Sequence, residues 1–268
     1  MRDRESLSTG PVPLVPEERR RLILDLLREK HAVSVTALEE QFAISPMTAR
    51  RDLAILARNG LARRTHGGAV LPDLAAHEDS FRHRLELEVD EKKRIAQAVL
   101  ATIEPGETLF IDSSTTAWYL AQAVTTSSIA LTVLTNSMPV ITLIGNADAA
   151  NLALVALGGS FRSLTHSFVG PDAVRALRGY RADRAVFAVK GITPDGHLTD
   201  AEPLEAEVKR GMIAHAKTVV LLATASKFED RGRAVVGVAE DVDVAFVTDP
   251  SGAGARRLAA RGVTVRRV

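Results

Sequence analysis

Small polar residues follow an apolar run near the middle of the chain, and their types suit anion binding. The run ends at Ile111, and helix-like sequence resumes after one aspartate, two serines and two threonines. The first amide groups of a helix have no internal hydrogen-bond partner, so a polar turn before a helix is suited to holding a phosphate group. We predict a phosphate-binding turn made of Asp112, Ser113, Ser114, Thr115 and Thr116.

Four other apolar runs end in turns of similar chemistry. Amide groups and cations bind phosphate, while Asn, Asp and Ser bind sugar hydroxyls, so the set suits a phosphorylated polyol. One such turn is a weak signal, because loops are rich in Ser, Gly and Asn for conformational reasons. All of them together predict one effector-binding site, to which these turns add Asn136, Ser137, Gly158, Gly159, Arg162, Lys190, Gly191 and Lys227.

Two further residues belong to this predicted site, each with an alternative left open. Glu205 lies four residues before Lys209 in a helix-like segment, where the simplest arrangement is an ion pair on the helix surface. The alternative is that Glu205 faces the ligand. His197, in the segment PDGHLTD, is either a turn residue or a ligand contact.

Other chemistries are excluded by composition or by spacing. The 268 residues include no cysteine, which excludes disulfides, thiolate metal sites and cysteine nucleophiles. The seven histidines show no metal-ligand spacing, and no G-x-S-x-G elbow, P-loop or G-x-G-x-x-G occurs. No apolar run reaches about 18 residues, and no signal-peptide pattern begins the sequence. We expect a cytoplasmic protein with no catalytic residues, no metal ligands, no cofactor and no membrane partner.

The site must be positioned by the elements that alternate from residue 91 onward. Segments such as TLFI, TVVLLAT and VDVAFVT are nearly continuous runs of apolar residues, and helix-like segments separate them. Continuous apolar strands indicate burial on both faces, as in a parallel sheet covered by helices. Ligands of such sheets bind outside the carboxyl ends of the strands, where the predicted site residues lie. The fold class is therefore α/β, with a three-layer, Rossmann-like second domain.

Three short helices and a hairpin are predicted before that domain, in the order of a winged helix-turn-helix. A capping box of Thr36 and Glu39 is expected to begin the second helix. Ser45 and Pro46, an N-cap followed by proline at the first helical position, begin the third. In such a domain the third helix enters the major groove of DNA.

The third helix and the hairpin carry a local positive surface. The net charge of the chain is only +1, yet residues 42–70 contain five arginines against the single acid Asp52. Ala49, Leu53 and Leu56 share one face of the helix, which leaves the other face for DNA. We predict DNA contacts from Ser45, Met47, Thr48, Arg50, Arg51, Arg63, Arg64, Thr65, His66, Gly67 and Gly68.

The chain is thus predicted to have four parts. Residues 1–15, which contain glycine and prolines without periodicity, form a disordered tail. Residues 16–72 form the winged helix-turn-helix domain, and the charged residues 73–90 form a linker. Residues 91–268 form the effector-binding domain.

These motifs together resemble the DeoR family of bacterial transcriptional regulators. The resemblance rests on SPMTARRDLAIL and LARRTHGGAV in the first domain, and on DEKKRIA, IDSSTT, LGGSFR, KGITPDGHLTD and ASKF in the second. It implies a sensor domain similar in fold to ribose-5-phosphate isomerase. A phosphorylated sugar or related metabolite would bind residues 112–116 with Lys227 nearby. The implied protein is a homodimer or homotetramer that represses carbohydrate-metabolism genes by binding a double-stranded DNA operator.

The sequence departs from the family pattern at two places. Thr224 and Ala225 stand where members carry an acid and a serine, and Lys190 stands where many carry an acid or an amide. We hypothesise that this change of charge favours a more anionic ligand, or one with a second phosphate or carboxyl group. The alternative function is a sugar-phosphate isomerase or deaminase with an accessory DNA-binding domain, in which Asp195, His197 and Lys227 would do acid–base work.

Overall fold

The computed structural model describes residues 15–30, 32–70, 80–248 and 252–268. They form two units that divide between Glu78 and Asp79. The predicted tail, apart from Val15, lies outside the described residues, as do residues 71–72 of the predicted winged helix-turn-helix domain and residues 73–79 of the predicted linker. Among the described helices, none combines the length and the apolar content needed to cross a membrane.

The first unit is a winged helix-turn-helix, as predicted. Its strands form a small antiparallel sheet in the order β1-β3-β2. Ile23, Leu27, Leu38 and Leu53 are fully buried between the helices and this sheet. The elements are α1 (Pro16–Lys30), β1 (Ala32–Ser34), α2 (Val35–Phe42), α3 (Pro46–Arg58), β2 (Arg63–Thr65) and β3 (Gly68–Val70).

The helix starts in this unit agree with the sequence in one case and differ in the other. Ser45 is the N-cap of α3, where its hydroxyl accepts a hydrogen bond from the Thr48 amide at 3.2 Å. The predicted capping box of Thr36 and Glu39 is wrong, because β1 runs directly into α2 and Ser34 is the cap, accepting from the amide of residue 37 at 3.1 Å.

The second unit is a three-layer α/β domain. Its elements are α4 (Phe81–Glu86), α5 (Val89–Leu100), β4 (Thr108–Ile111), α6 (Thr115–Thr125), β5 (Leu131–Thr135), α7 (Met138–Gly145), β6 (Leu152–Ala156), β7 (Ser160–Arg162), β8 (Ser167–Val169), α8 (Pro171–Leu177), β9 (Ala182–Ala188), β10 (Gly191–Ile192), β11 (His197–Asp200), α9 (Pro203–Ala214), β12 (Ala216–Ala223), β13 (Ala234–Val238), β14 (Val244–Val247), α10 (Ala253–Ala260) and β15 (Thr264–Arg267). Two short 3-10 helices cover Ala225–Phe228 and Ala239–Asp241.

Seven strands form the central sheet in the order β15-β14-β12-β9-β4-β5-β6, and every pairing between them is parallel. The chain builds outward from β4 to β6, then returns to the centre and builds outward from β9 to β15. The direction therefore reverses between β4 and β9. Ligands of open parallel sheets bind at this switch point, outside the carboxyl ends of the strands.

Apolar side chains cover both faces of this sheet. On one face, Ile111 and Val186 pack beneath α5 and α6. On the other face, Phe110 and Ala185 pack against α8 and α9. Burial on both sides explains why the strands are nearly continuous in apolar residues, as the sequence indicated.

Residues 80–90, which were predicted as part of a linker, belong structurally to the second unit. Phe81 begins α4, is buried, and donates its amide to the carbonyl of Leu164 at 2.9 Å. The hydroxyl of Tyr119 donates to the carbonyl of Leu85 at 3.1 Å. The segment was predicted as a linker because it is rich in charged residues, but Phe81 and Leu85 attach it to the second unit.

Candidate functional site

The third helix of the first unit presents one basic stripe. Met47, Arg50, Arg51 and Arg58 are exposed and lie at positions i, i+3, i+4 and i+11 of α3, so they share a face of the helix. Met47 is 71% exposed. The opposite face is the buried one that the sequence indicated. A helix with its apolar side held by the core and arginines outside is suited to lie against DNA.

The one acid of this region is removed from the surface. Asp52 is 2% exposed, and its carboxylate accepts a hydrogen bond from Nε of Arg19 at 2.7 Å and from Nη1 of Arg20 at 3.3 Å. Both arginines are on α1. The pairing holds α1 against α3 and leaves the exposed face of α3 without negative charge.

The wing has exposed and structural members. Arg63, Thr65 and His66 are exposed, whereas Nη1 of Arg64 donates to the carbonyl of Arg50 at 3.1 Å and so ties the wing to α3. Gly68 is buried in β3, where a Cβ would lie 2.0 Å from a backbone oxygen of β1. Gly68 therefore allows the close approach of two strands.

In the second unit, Asp112 bridges the switch point of the sheet. It follows β4, is 1% exposed, and accepts hydrogen bonds at Oδ1 from the amide and hydroxyl of Ser114, at 3.1 and 2.5 Å. Its Oδ2 lies 3.4 Å from the amide of Ala188, the last residue of β9. Burial raises the pKa of Asp112, and the Lys209 ammonium at 3.3 Å is the main opposing influence.

Lys209 is the buried counter-ion of this site. Its Nζ donates to the carbonyl of Ala188 at 2.8 Å and to the carboxylate of Asp200. Burial acts to lower the pKa of Lys209, but the carboxylates of Asp200, Asp112 and Glu205 outweigh it and the pKa is raised. Lys209 therefore remains charged throughout the physiological range.

Glu205 gathers three hydroxyl groups. It is 3% exposed and accepts hydrogen bonds from Ser113 at 3.0 Å, from Thr165 at 2.6 Å and from Ser167. Nη1 of Arg162 lies 3.8 Å from Glu205 and donates to Thr165 at 3.1 Å. The interpretation of Glu205 and Lys209 as a surface ion pair is wrong, because α9 turns both side chains inward.

The remaining members of the predicted turns line the same edge of the sheet. Asn136 is 1% exposed; its Nδ2 donates to the carbonyl of Phe168 at 3.0 Å, while its Oδ1 is buried with no hydrogen-bond partner among the described residues. Ser137 is the N-cap of α7. A Cβ on Gly159 would lie 2.8 Å from a backbone oxygen of β8, whereas Gly158 has open space around it.

A second cluster of charges lies beside the carboxyl end of β12. We use the name cation cluster for Arg84, Lys92 and Lys227. Lys92 donates to the carbonyls of Arg84 and Leu87, the latter at 2.6 Å. Burial lowers the pKa of Lys92 to about 8, assisted by the charges of Lys227 and Arg84. The Nε and Nη2 atoms of Arg84 are buried without a hydrogen-bond partner in the described part of the chain.

Lys227 completes the cation cluster from the 3-10 helix after β12. Burial and the charge of Arg84 lower its pKa, and its ammonium makes no hydrogen bond or ion pair with the residues described. The acids that act on the cluster include Glu88, Glu91 and Asp230. Glu88 accepts a hydrogen bond from Thr224 at 2.8 Å, and Asp230 pairs with Lys190 at 2.7 Å. The unused donors of Arg84 and the ammonium of Lys227 remain available to an anion at this place.

Lys190 and Gly191 have structural partners. Nζ of Lys190 pairs with Asp230 at 2.7 Å, so its charge is compensated locally. A Cβ on Gly191 would lie 1.9 Å from the carbonyl oxygen of Asp230. The hypothesis of a more anionic ligand therefore depends on the cation cluster and not on Lys190.

His197 is the first residue of β11, directly after the hairpin turn that joins β10 and β11. Its Nδ1 is 2.9 Å from a carboxylate oxygen of Asp195, and its amide donates to the hydroxyl of Thr193 at 2.9 Å. The hydrogen bonds described for Asp195 and His197 stay within this hairpin, and none of them reaches Lys227.

Sequence reasoning missed Lys92, Arg84, Asp200 and Lys209, and a signal existed for two of them. Lys209 lies on the stripe of α9 that contains Ala206, Val208 and Met212, and Lys92 lies three, four and seven residues before the buried positions 95, 96 and 99 of α5. A charge on an apolar stripe points inward. No comparable signal marks Arg84 or Asp200.

Comparison with known proteins agrees with this architecture. Residues 19–74 match the model of the DeoR-like helix-turn-helix domain, and residues 87–250 match that of the DeoR C terminal sensor domain. The glycerol-3-phosphate regulon repressor of Escherichia coli is 32% identical over 234 residues, covering 87% of this chain and 91% of that protein. The L-fucose operon activator of Escherichia coli is 32% identical over 226 residues, covering 84% and 91%. The uncharacterized regulator YulB of Bacillus subtilis is 31% identical over 232 residues, covering 87% and 88%.

Solved structures with a similar chain path are more distant. Ribose 5-phosphate isomerase A of Methanocaldococcus jannaschii matches with a TM-score of 0.38 and 14% identity, covering 52% of this chain and 54% of that one. The eIF2B beta subunit of Chaetomium thermophilum matches with a TM-score of 0.44 and 15% identity, covering 87% and 85%. The two family models account for both units of the chain, and the chain belongs to the DeoR family of DNA-binding transcriptional regulators.

Proposed function

We propose that this regulator controls carbohydrate-metabolism genes as a repressor whose operator affinity responds to a phosphorylated sugar or related metabolite. The observation that carries the proposal is the combination, in one chain, of an acid-free arginine stripe on α3 and a cation cluster with unused donors in the sensor unit. Two relatives are named a glycerol-3-phosphate regulon repressor and an L-fucose operon activator, which supports control of carbohydrate-metabolism genes.

The phosphate group is proposed to lie between the cation cluster and the first turn of α6. Lys92 and the hydroxyl of Tyr119, in the second turn of α6, both donate to carbonyls of α4, so the cation cluster and α6 contact the same short helix. The amides of Thr115 and Thr116 are the first of that helix and have no intrahelical acceptor. Cations and helix amides together are a common arrangement for binding phosphate.

The polyol part of the effector is proposed to contact Asn136 and the open space at Gly158. The buried Oδ1 of Asn136 has an unused acceptor position, which a sugar hydroxyl would satisfy. Ser113 and Ser114 have other duties, because their hydroxyls donate to Glu205 and Asp112. The Ser114 amide also donates to Asp112, so Ser113 and Ser114 shape the turn, while the amides of Thr115 and Thr116 bind.

A sensor is favoured over an isomerase or deaminase. The proposed acid–base residues of the enzyme, Asp195 and His197, hydrogen-bond to each other at an exposed hairpin turn. The relatives that cover most of the chain are named as transcriptional regulators. We accordingly expect binding of sugar phosphates without turnover.

The effector site is tested by thermal unfolding with glycerol 3-phosphate and inorganic phosphate as probes. We expect saturable stabilisation of the wild type, without product formation, and its loss in Lys227→Met. Lys217→Met is the matched control, since Lys217 lies at the amino end of the same strand, β12, and is 78% exposed. Equal stabilisation of Lys227→Met and Lys217→Met would show that the cation cluster does not bind the phosphate. Formation of product from glycerol 3-phosphate would favour the alternative function as an isomerase or deaminase.

The DNA surface is tested by electrophoretic mobility shift with duplex DNA from upstream of the coding sequence. Arg51→Ala should abolish the shift and leave phosphate binding intact, because Arg51 is exposed on α3. If it contacts a phosphate, the slope of log K against log salt should fall by about 0.9. Arg175→Ala on α8, whose side chain is 71% exposed, is the control. Unchanged DNA affinity of Arg51→Ala would contradict the assignment.

Ligand control also requires an assembly. Winged helices of this kind read two half-sites about one DNA turn apart, or a multiple of it, so we propose a homodimer or homotetramer. The effector needs different affinities for the DNA-competent and DNA-incompetent assemblies, and a coupling of about 1–3 kcal/mol would change operator affinity by about 5- to 150-fold.

A further inference from the structure

The outer strand β6 of the central sheet is an exposed apolar edge. It pairs with β5 on one side only, and it consists of Leu152, Ala153, Leu154, Val155 and Ala156. Ala153 and Ala156 are exposed, and Leu152, Leu154 and Val155 are half-buried because they pack partly against the two cores on either face of the sheet. Unprotected edges of this kind are templates for pairing with another strand.

The backbone of β6 has hydrogen-bonding groups that point away from β5. The carbonyl of Asn151 accepts from the amide of Leu131, and the amide of Leu157 donates to the carbonyl of Thr135. The backbone amide and carbonyl of each residue point to the same side of a parallel strand, and successive residues alternate between the two sides. The backbone groups of the odd-numbered residues therefore point toward β5. The amide and carbonyl groups of Leu154 and Ala156 therefore face outward, and in the described part of the chain nothing accepts from or donates to them.

The opposite edge of the same sheet is protected. Its outer strand, β15, contains Arg266 and Arg267, and the guanidinium of Arg266 lies 5.6 Å from the ring centroid of Phe246. Charged side chains on an edge strand discourage pairing. β6 contains no charged side chain. The two edges of the sheet therefore differ in charge, the feature that discourages pairing at an edge strand.

Exposed apolar groups continue from β6 into the neighbouring elements. Met138, at the start of the helix that leads to β6, is 42% exposed, and Phe161, in the strand that follows, is 54% exposed. Phe161 contacts His166, whose ring also stacks on Phe81. An open groove of about 690 Å³ extends this surface and includes Trp118. Apolar patches of this kind on a monomer mark interaction surfaces.

We propose that β6 pairs antiparallel with β6 of a second copy, so that the two central sheets join. A strand placed against its own two-fold image offers the same uncharged edge and matched donors and acceptors. Centred on Leu154, the pairing exchanges both hydrogen bonds between the two Leu154 residues. The amide of Ala156 in each copy donates to the carbonyl of Leu152 in the other. This register also leaves intact the bond of the Leu152 amide to the carbonyl of Ala149.

The test is the mass of the full chain by sedimentation, without DNA or effector, so that its outcome is independent of the proposed function. The wild type should be a dimer or a larger even assembly. Leu154→Pro removes an outward amide that β5 does not use, and Ala156→Glu places a charge on the edge without altering the backbone. Each should raise the dissociation constant of the dimer at least tenfold.

Thr264→Glu, on exposed Thr264 of β15, is the control and should keep the wild-type mass. Fluorescence of Trp118, the single tryptophan, verifies that the sensor unit of each variant is folded. Hydrogen exchange adds a direct measurement: the amides of Leu154 and Ala156 should be protected in the wild type and exposed in Ala156→Glu. A monomeric wild type overturns the proposal. An assembly in which the amides of Leu154 and Ala156 exchange freely also overturns it, as does a folded Ala156→Glu variant that keeps the wild-type mass. Protection of these amides that appears only when a different protein is added overturns it as well.

Discussion

Replacing Lys209 by methionine should strongly destabilise the sensor unit at neutral pH. The ammonium donates to Asp200 and to the carbonyl of Ala188 at 2.8 Å, and lies 3.3 Å from Asp112. Its removal leaves two buried carboxylates uncompensated, and breaking a buried pair in this way costs about 3–5 kcal/mol. For a unit of this size, about 2–4 °C per kcal/mol predicts a fall of about 6–20 °C in the melting temperature.

The pH dependence of this loss separates electrostatics from packing. Burial already raises the pKa of Asp112, and without Lys209 the pKa rises further. The folded variant then binds protons that the unfolded chain does not, so its stability increases as the pH falls. The difference in the free energy of unfolding between wild type and Lys209→Met should therefore narrow from pH 7 to pH 5.

Urea unfolding followed by Trp118 fluorescence measures this difference in the sensor unit alone, because the single tryptophan lies on α6. Lys217→Met, which removes a lysine paired with Asp183 at the surface, is the matched control and should leave the midpoint nearly unchanged. A loss below about 1 kcal/mol for Lys209→Met, or a loss that is the same at both pH values, would refute the reasoning.

Three further predictions concern the wing, a helix cap and the cation cluster. Gly68→Ala should destabilise the wing and weaken DNA binding, because its Cβ would lie 2.0 Å from the carbonyl oxygen of Val33; thermal unfolding and filter binding measure the two effects. A Cβ on Gly67 has nothing within 4 Å, so Gly67→Ala is the control for stability and should leave the melting temperature unchanged. Ser45→Ala should cost about 1 kcal/mol in urea unfolding followed by circular dichroism, since it removes the N-cap of α3, and Ser45→Gly should cost only a few tenths. Because burial lowers the pKa of Lys92 to about 8, its charge is lost as the pH rises from 7 to 9, so calorimetry with sulfate, which does not titrate there, should show weaker binding at pH 9. Between pH 7 and pH 9 the unfolded chain binds more protons at Lys92 than the folded chain does, so the free energy of unfolding should rise with pH. Sulfate binding that does not change over this pH range would contradict the role of Lys92 in anion binding.

The order of elements could be predicted because each local signal agreed with the global fold. Apolar runs without charge indicate strands buried on both faces, and the structure has those strands in a parallel sheet. The Ser45-Pro46 pair combines two independent start signals and marks the beginning of α3. The capping box at Thr36 failed because Ser34, two residues earlier, also caps, and sequence alone does not say where β1 ends.

The site was less predictable, because it depends on which charges face inward. Turn residues after each strand were found from their types, but their partners come from α9 and α5, far away in sequence. Glu205 and Lys209 share the spacing of a surface ion pair, yet the apolar residues Ala206, Val208 and Met212 lie on the same stripe. Because that stripe is buried, Glu205 and Lys209 face inward. Only tertiary packing shows that Asp112 and Asp200 lie close to Lys209.

The internal use of the serine hydroxyls alters how the phosphate-binding turn must be tested. A substitution of Ser113 removes a hydrogen bond to Glu205, and thereby disturbs the network that holds Thr165 and Ser167. Such a variant would lose effector response through altered structure even if the hydroxyl never touched the ligand. Thr115, at the first position of α6, is the better choice because no cap depends on its side chain. A loss of phosphate binding in Thr115→Ala with unchanged unfolding would therefore locate the ligand at the start of α6, whereas the same loss in Ser113→Ala would not.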